Sequence, residues 1–298
     1  MRMQSSIHLV MLFVLMVSLL ATRVKAQRTE GINSELLKTI VSVEQITGTN
    51  TSDGTHQARS IGTGFLVGLP SAKTNAAGHA GFQIVLVTAK HVVTEANGTL
   101  KSHLAYRLNN RSANSDLVPE LSMERYAGRW FFSTNHDVAC RFIAIRDSDV
   151  KTFSLDMFLR QQSIQPGAPA FIIGFPLGLR SESYTVPIVR RASVAFVDQV
   201  GLMVDGFTFP GNSGGPVVYS SFLGNTVPIQ RGGVISGDAL IGLVSSSLNY
   251  TDVAVSQQTK RPRISFEENS GLTHVVPAEA IQSLLQRQDV TDFRKRFD

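Results

Sequence analysis

The chain has 298 residues, 43% of them hydrophobic and 17% charged, a composition that excludes long disorder and leaves material for one large domain or two small ones. Its formal charge is +5, yet residues 1–26 carry Arg2, Arg23 and Lys25 and no acid, so residues 27–298 hold 25 basic against 23 acidic side chains. A balance so near neutral gives no electrostatic case for nucleic acid, and Lys260-Arg261-Pro262-Arg263 and Arg294-Lys295-Arg296 read as solvated loop and tail.

Residues 1–26 read as a secretory signal peptide. Arg2 supplies a basic start, Leu9 to Ala21 is an uncharged apolar run of 13 residues, and Val24-Lys25-Ala26 offers a cleavage site before Gln27. As a helix the run covers roughly 20 Å, short of the roughly 30 Å hydrocarbon core. The expectation is an exported chain, periplasmic or secreted, with no stable membrane span after cleavage. An uncleaved anchor is the alternative.

The remainder reads as short strands broken by Gly, Asn, Ser and Pro clusters, the pattern of an all-β barrel or sandwich. The first half, 27–146, offers strands at 36–46, 60–68, 82–89, 103–108, 122–131 and 137–145, with turn-rich breaks at 48–59, 70–81 and 108–116. Residues 147–165 lack both alternation and breakers and read as a linker. The second half, 166–298, offers strands at 168–174, 184–197, 201–207, 215–220, 239–246 and 273–276. Pro277 then opens an amphipathic helix with Ile281, Leu284 and Leu285 on one face.

Cys140 is the only cysteine, so an intramolecular disulfide is excluded. It alternates with Val138 and Phe142, the pattern of a small buried hydrophobe in a strand and not of a thiol nucleophile. The seven histidines are scattered, and no pair has the spacing of a metal-binding helix. Neither metal nor cofactor is expected.

The chemistry gathers in three segments. Gly211-Asn212-Ser213-Gly214-Gly215-Pro216 sets a serine in a glycine-rich turn, which can present the hydroxyl while backbone N–H groups converge beside it. Leu86-Val87-Thr88-Ala89-Lys90-His91-Val92 ends an apolar run on a histidine, and His136-Asp137-Val138-Ala139 places an aspartate before another. The order is histidine, aspartate, serine. A serine hydroxyl needs a base within hydrogen-bond reach, which His91 supplies as candidate base, with Asp137 to orient the imidazole. His136 is the competing base, but neighbours on an extended strand face opposite ways, so His136 is expected at the surface.

The segments GTGFLV (62–67), VTAKHVV (87–93), HDVA (136–139) and GNSGGPVV (211–218) together closely resemble the trypsin-like peptidases of the HtrA type. The resemblance covers roughly 35 to 287 and implies two six-stranded antiparallel β-barrels of chymotrypsin-like architecture, with a C-terminal α-helix and a cleft between the barrels. It implies His91, Asp137 and Ser213 as catalytic triad and the N–H groups of Gly211 and Ser213 as oxyanion hole. Ser245 and Ser247 fall on the strand that supports the aspartate and pairs with substrate backbone, with Ser246 open as an alternative to Ser245. Phe207 would floor an apolar S1 pocket. Asn212 stands where animal trypsins have an aspartate that captures a new N-terminus, so that zymogen switch is not expected. About ten residues follow the resemblance, leaving no room for a PDZ domain. The implied activity is that of an exported serine endopeptidase acting on protein or peptide substrates. A catalytically silent binding protein on the same fold and an esterase remain as alternatives, and the oligomeric state is open.

Overall fold

A computed structural model describes residues 32–52, 54–74, 80–110, 115–119, 129–145, 148–180, 185–199, 201–220, 227–228, 234–235 and 238–296. The signal peptide expected at 1–26 and most of the strand expected at 122–131 lie outside the described residues. Ile32–Asp298 forms one compact unit.

Two antiparallel sheets build the chymotrypsin-like architecture. In the first half, β1 (Ile40–Thr49), β2 (His56–Thr74), β3 (Ala80–Thr88), β4 (Leu104–Asn109), β5 (Ser115–Pro119), β6 (Trp130–Phe132) and β7 (Ala139–Ile143) form a seven-stranded sheet in the order β5-β4-β1-β2-β3-β7-β6. That is one strand more than the six expected. The addition is β5, which pairs with β4 at the end of a stretch read as a turn-rich break. The second half is a closed barrel of the expected six strands: β8 (Pro169–Gly174), β9 (Ile188–Val197), β10 (Leu202–Asp205), β11 (Pro216–Ser220), β14 (Asp238–Val255) and β15 (Pro262–Pro277). A separate short ladder joins β12 (Val227–Pro228) to β13 (Val234–Ile235). Strands β14 and β15 run far beyond the segments expected at 239–246 and 273–276, projecting from the barrel as a two-stranded hairpin.

Runs such as Phe65-Leu66-Val67 and Val85-Leu86-Val87 are buried on both faces, which requires cover on each side of the sheet. The C-terminal helices α2 (Ala278–Leu285) and α3 (Gln288–Lys295), where one helix was expected, contribute to it. Pro277 caps α2 at its N-terminus, and Ile281, Leu284 and Leu285 are buried as their spacing predicts. The Phe293 ring on α3 meets Phe131 at 5.3 Å and Phe142 at 5.6 Å. One hydrophobic core thus runs from the first sheet through Val218, Leu240 and Val276 into these helices, while a second fills the barrel around Ile172, Val204 and Val217. The stretch read as a linker is stitched to both: Phe153 N–H donates to Leu66 C=O at 2.8 Å and Leu159 N–H to Leu240 C=O at 2.8 Å. Cys140 is fully buried, and loss of hydration pushes its thiol up to about 12, far from a nucleophile's range.

Candidate active site

Strand β3 ends at Thr88, and the chain makes one turn, α1 (Lys90–Val93), which carries His91. Lys101 Nζ closes that turn by donating to the carbonyls of His91 at 2.9 Å and Val92 at 3.1 Å. Asp137 leads into β7 from a tight bend, where Ser133 N–H donates to Val138 C=O at 2.9 Å. The bend directs Asp137 inward and leaves His136 exposed, the outcome expected, although a bend and not strand alternation produces it.

Three donors converge on the Asp137 carboxylate. His91 Nδ1–H reaches Oδ2 at 2.7 Å, the His91 backbone N–H reaches Oδ1 at 3.0 Å, and the Ser245 hydroxyl reaches Oδ2 at 2.8 Å. Burial by itself would raise the carboxyl's pKa, but the His91 and Ser245 hydrogen bonds and the His91 charge outweigh it, holding Asp137 below the ordinary carboxylate value. A carboxylate only accepts, so Nδ1 carries a proton, and in the neutral imidazole the lone pair then lies on Nε2. That is the tautomer a general base requires.

Ser213 sits in the turn before β11, and its hydroxyl donates to Ser245 C=O at a long 3.4 Å. Ser213, His91 and Asp137 line one cleft of about 420 Å³, together with Thr208, Phe209, Pro210 and the strand Val244–Ser247. Serine–histidine contacts commonly tighten only when substrate is bound.

The turn's amides divide sharply. Asn212 N–H donates to Phe209 C=O, Gly214 N–H to Val244 C=O and Gly215 N–H to Asn212 C=O. Among the described residues, the N–H groups of Gly211 and Ser213 donate to nothing in the protein. Gly211 adopts φ +100°, and a Cβ there would lie 2.2 Å from Phe175 O, so both backbone shape and space demand glycine.

Thr63 in β2, inside the GTGFLV motif, holds this turn in place. It is fully buried, its Oγ1 donates to Gly211 C=O at 2.6 Å and accepts from Phe175 N–H at 3.0 Å, and its N–H donates to Ser213 C=O at 2.9 Å. Thr88 Oγ1 in turn donates to Thr63 C=O at 2.7 Å. The motif was legible in the sequence, but Thr63's bracing role was not, and nothing marked Lys101.

Of the residues expected to bind substrate, Ser245 and Ser247 line the cleft, and Ser247 Oγ donates to Asn249 Oδ1 at 3.0 Å. Phe207 lies beside it: its ring is 3.4 Å from where a Cβ on Gly271 would stand and is about half exposed. The neighbouring residue that lines the cleft is Thr208, which is buried and whose Oγ1 shares a hydrogen bond with Thr273 Oγ1 at 2.8 Å. Asn212 is fully buried, its Oδ1 accepting from Phe209 N–H at 2.9 Å, so it shapes the turn internally. Among the described residues no group of three or more His, Cys, Asp or Glu could hold a metal ion, and no helix is long and apolar enough to cross a membrane.

The fold and this geometry can be set beside known proteins. The chain is similar to a solved structure of the HtrA-type protease AlgW with a tripeptide, at 16% identity and a TM-score of 0.44, over 85% of this chain and 62% of that one. It thus spans about three fifths of that chain's length. No curated protein matches. The family model of the trypsin-like peptidase domain matches residues 62–222, more than half of the chain. The chain belongs to the trypsin-like peptidase domain family.

Proposed function

We propose that this peptidase is an exported serine endopeptidase, with Ser213 as nucleophile, His91 as general base and Asp137 as the group that orients it. In this reading Ser213 Oγ attacks the scissile carbonyl as His91 Nε2 takes its proton, and the same imidazole then protonates the leaving amine. The carbonyl oxygen becomes an oxyanion held by the N–H groups of Gly211 and Ser213. Water hydrolyses the acyl-enzyme by the reverse set of transfers. The observation that carries the proposal is the pair of undonated N–H groups at Gly211 and Ser213, flanking a serine in the same cleft as an aspartate-bound histidine.

Export rests on residues 1–26. The apolar character of Phe209, Pro210 and Val244 around the cleft favours small or medium aliphatic side chains before the scissile bond, because a lysine or arginine there would lose hydration while Asp137, the carboxylate among the described lining residues, is held by His91 and Ser245. The test is stoichiometric labelling of Ser213 by a fluorophosphonate, together with mass spectrometry of peptides cut by wild type and by Ser213→Ala. An unlabelled wild-type protein favours a silent binding protein. Labelling with ester turnover and no peptide cleavage favours an esterase.

A further inference from the structure

Among the described residues, strand β14 leaves the barrel with one edge outside any ladder. Its pairing with β11 ends at Leu243, whereas its pairing with β15 continues to Val255. From Ser245 to Val255 the opposite edge forms no ladder among the described residues, so a row of backbone N–H and C=O groups begins inside the cleft and runs out along the hairpin. From Leu248 to Val255 this is roughly 25 Å of extended edge at about 3.4 Å per residue. Such an edge is a template for another strand, and a two-stranded hairpin is only marginally stable alone.

The hairpin's faces carry both apolar and polar side chains. The register places Tyr250, Asp252 and Ala254 on one face with Ile264 and Phe266 opposite, and Tyr250 is 50%, Ile264 57% and Phe266 48% exposed. On the other face Val253 is 42% exposed. An added strand would lie beside Tyr250, Asp252 and Ala254 on one face and Thr251, Val253 and Val255 on the other, a mixed apolar and polar surface.

We propose that the free edge of β14 beyond Ser247 is an exosite that takes the substrate's polypeptide, in extended form, as a third strand. The proposal rests on the peptidase reading above. Ser245 C=O lies 3.4 Å from Ser213 Oγ, so a strand laid on this edge starts at the attacked residue and runs outward. Every ladder in both sheets is antiparallel, the more stable pairing per residue, and an antiparallel guest places the segment N-terminal to the scissile bond on the hairpin. The protein thus selects long, extended segments over short or folded ones.

The test compares two peptides with the same cleavage site, one with about four residues and one with about twelve before it, the longer reaching the hairpin's end at strand spacing. Wild type should show kcat/KM about tenfold or more higher on the long peptide, since remote contacts can be used in the transition state. N-methylation of alternate backbone amides five to nine residues before the bond should return it to the short peptide's value. A variant in which residues 250–268 are replaced by an Asn-Gly turn should cut both peptides alike, at the short peptide's wild-type rate. Equal wild-type rates on both peptides, no effect of N-methylation, or a length preference that survives the shortened hairpin would each overturn the exosite. So would light scattering showing that the hairpin holds two copies of the chain together. If wild type cuts neither peptide, the peptidase reading fails and the exosite with it.

Discussion

Substituting Ser213 by alanine should remove nearly all turnover, by several orders of magnitude, while circular dichroism stays that of wild type, because its hydroxyl makes a single long contact within the protein. His91→Ala should be as damaging and His136→Ala mild. Exchange of those two outcomes would show that the wrong base has been chosen. Thr63 gives a finer test. Thr63→Val leaves the Gly211 carbonyl and the Phe175 N–H unpaired in a buried site, at about 1–3 kcal/mol each, and should lower kcat more than it raises KM, with Thr63→Ser restoring both. Asp137 carries a pH signature. Its folded pKa is depressed, so its contribution to stability is present above its ordinary value of 3.8 and is lost as pH falls through the folded value. The urea midpoints of wild type and Asp137→Asn should therefore differ at pH 7 and converge on acidification. The positions of His91, Asp137 and Ser213, which the structure brings to one cleft, were legible because each follows or opens an apolar run. Thr63 and Thr208 were not, since the partners of their hydroxyls lie 65 or more residues away in sequence, and Lys101 was not, since nothing in a lone lysine marks it as the cap of a turn.

Among the elements, Glu44 on β1 is the tightest electrostatic knot. Its carboxylate is fully buried, takes two hydrogen bonds from Arg107 on β4 at 2.8 and 2.9 Å, and meets Arg180 at 3.3 Å. Arg180 ends the Phe175–Arg180 segment, whose Leu177 N–H donates to Pro210 C=O at 2.6 Å, next to the Gly211 turn. Glu44→Ala would leave two arginines without their partner and should cost about 3–5 kcal/mol, read as a fall in the denaturant midpoint; Arg180→Ala, which keeps the Glu44–Arg107 pair, should cost less. Core strands were readable from sequence because β2, β3 and β8 carry apolar residues bounded by turn formers. The hairpin of β14 and β15 was not, because Tyr250 to Val255 and Ile264 to Glu268 lie on solvent on both faces, and burial is what imprints a strand's alternation. The cluster Lys260 to Arg263, read as loop, in fact straddles the hairpin tip and the first residues of β15.

At the scale of the molecule, the two sheets share a hydrophobic core, and Asn109 on β4 binds Thr185 twice, donating to its carbonyl at 2.6 Å and accepting from its N–H at 2.7 Å. The halves should therefore unfold together. Trp130, the single tryptophan, stands in the first sheet, so its fluorescence and the far-ultraviolet signal of the whole chain should share one midpoint; two separated transitions would contradict this. The same architecture has a consequence for timing. Phe131 and Phe142 of the first sheet are covered by Phe293, Arg287 Nη1 donates to Phe132 C=O at 2.7 Å, and Gln83 reaches the carbonyl of Arg294 at 3.3 Å. A polypeptide emerging from the ribosome N-terminus first has made the histidine and aspartate segments long before the residues that seal their sheet exist. The first sheet, which carries His91 and Asp137, therefore cannot close its core until α3 (Gln288–Lys295) has been synthesised, which delays assembly of the cleft until at least that point in translation.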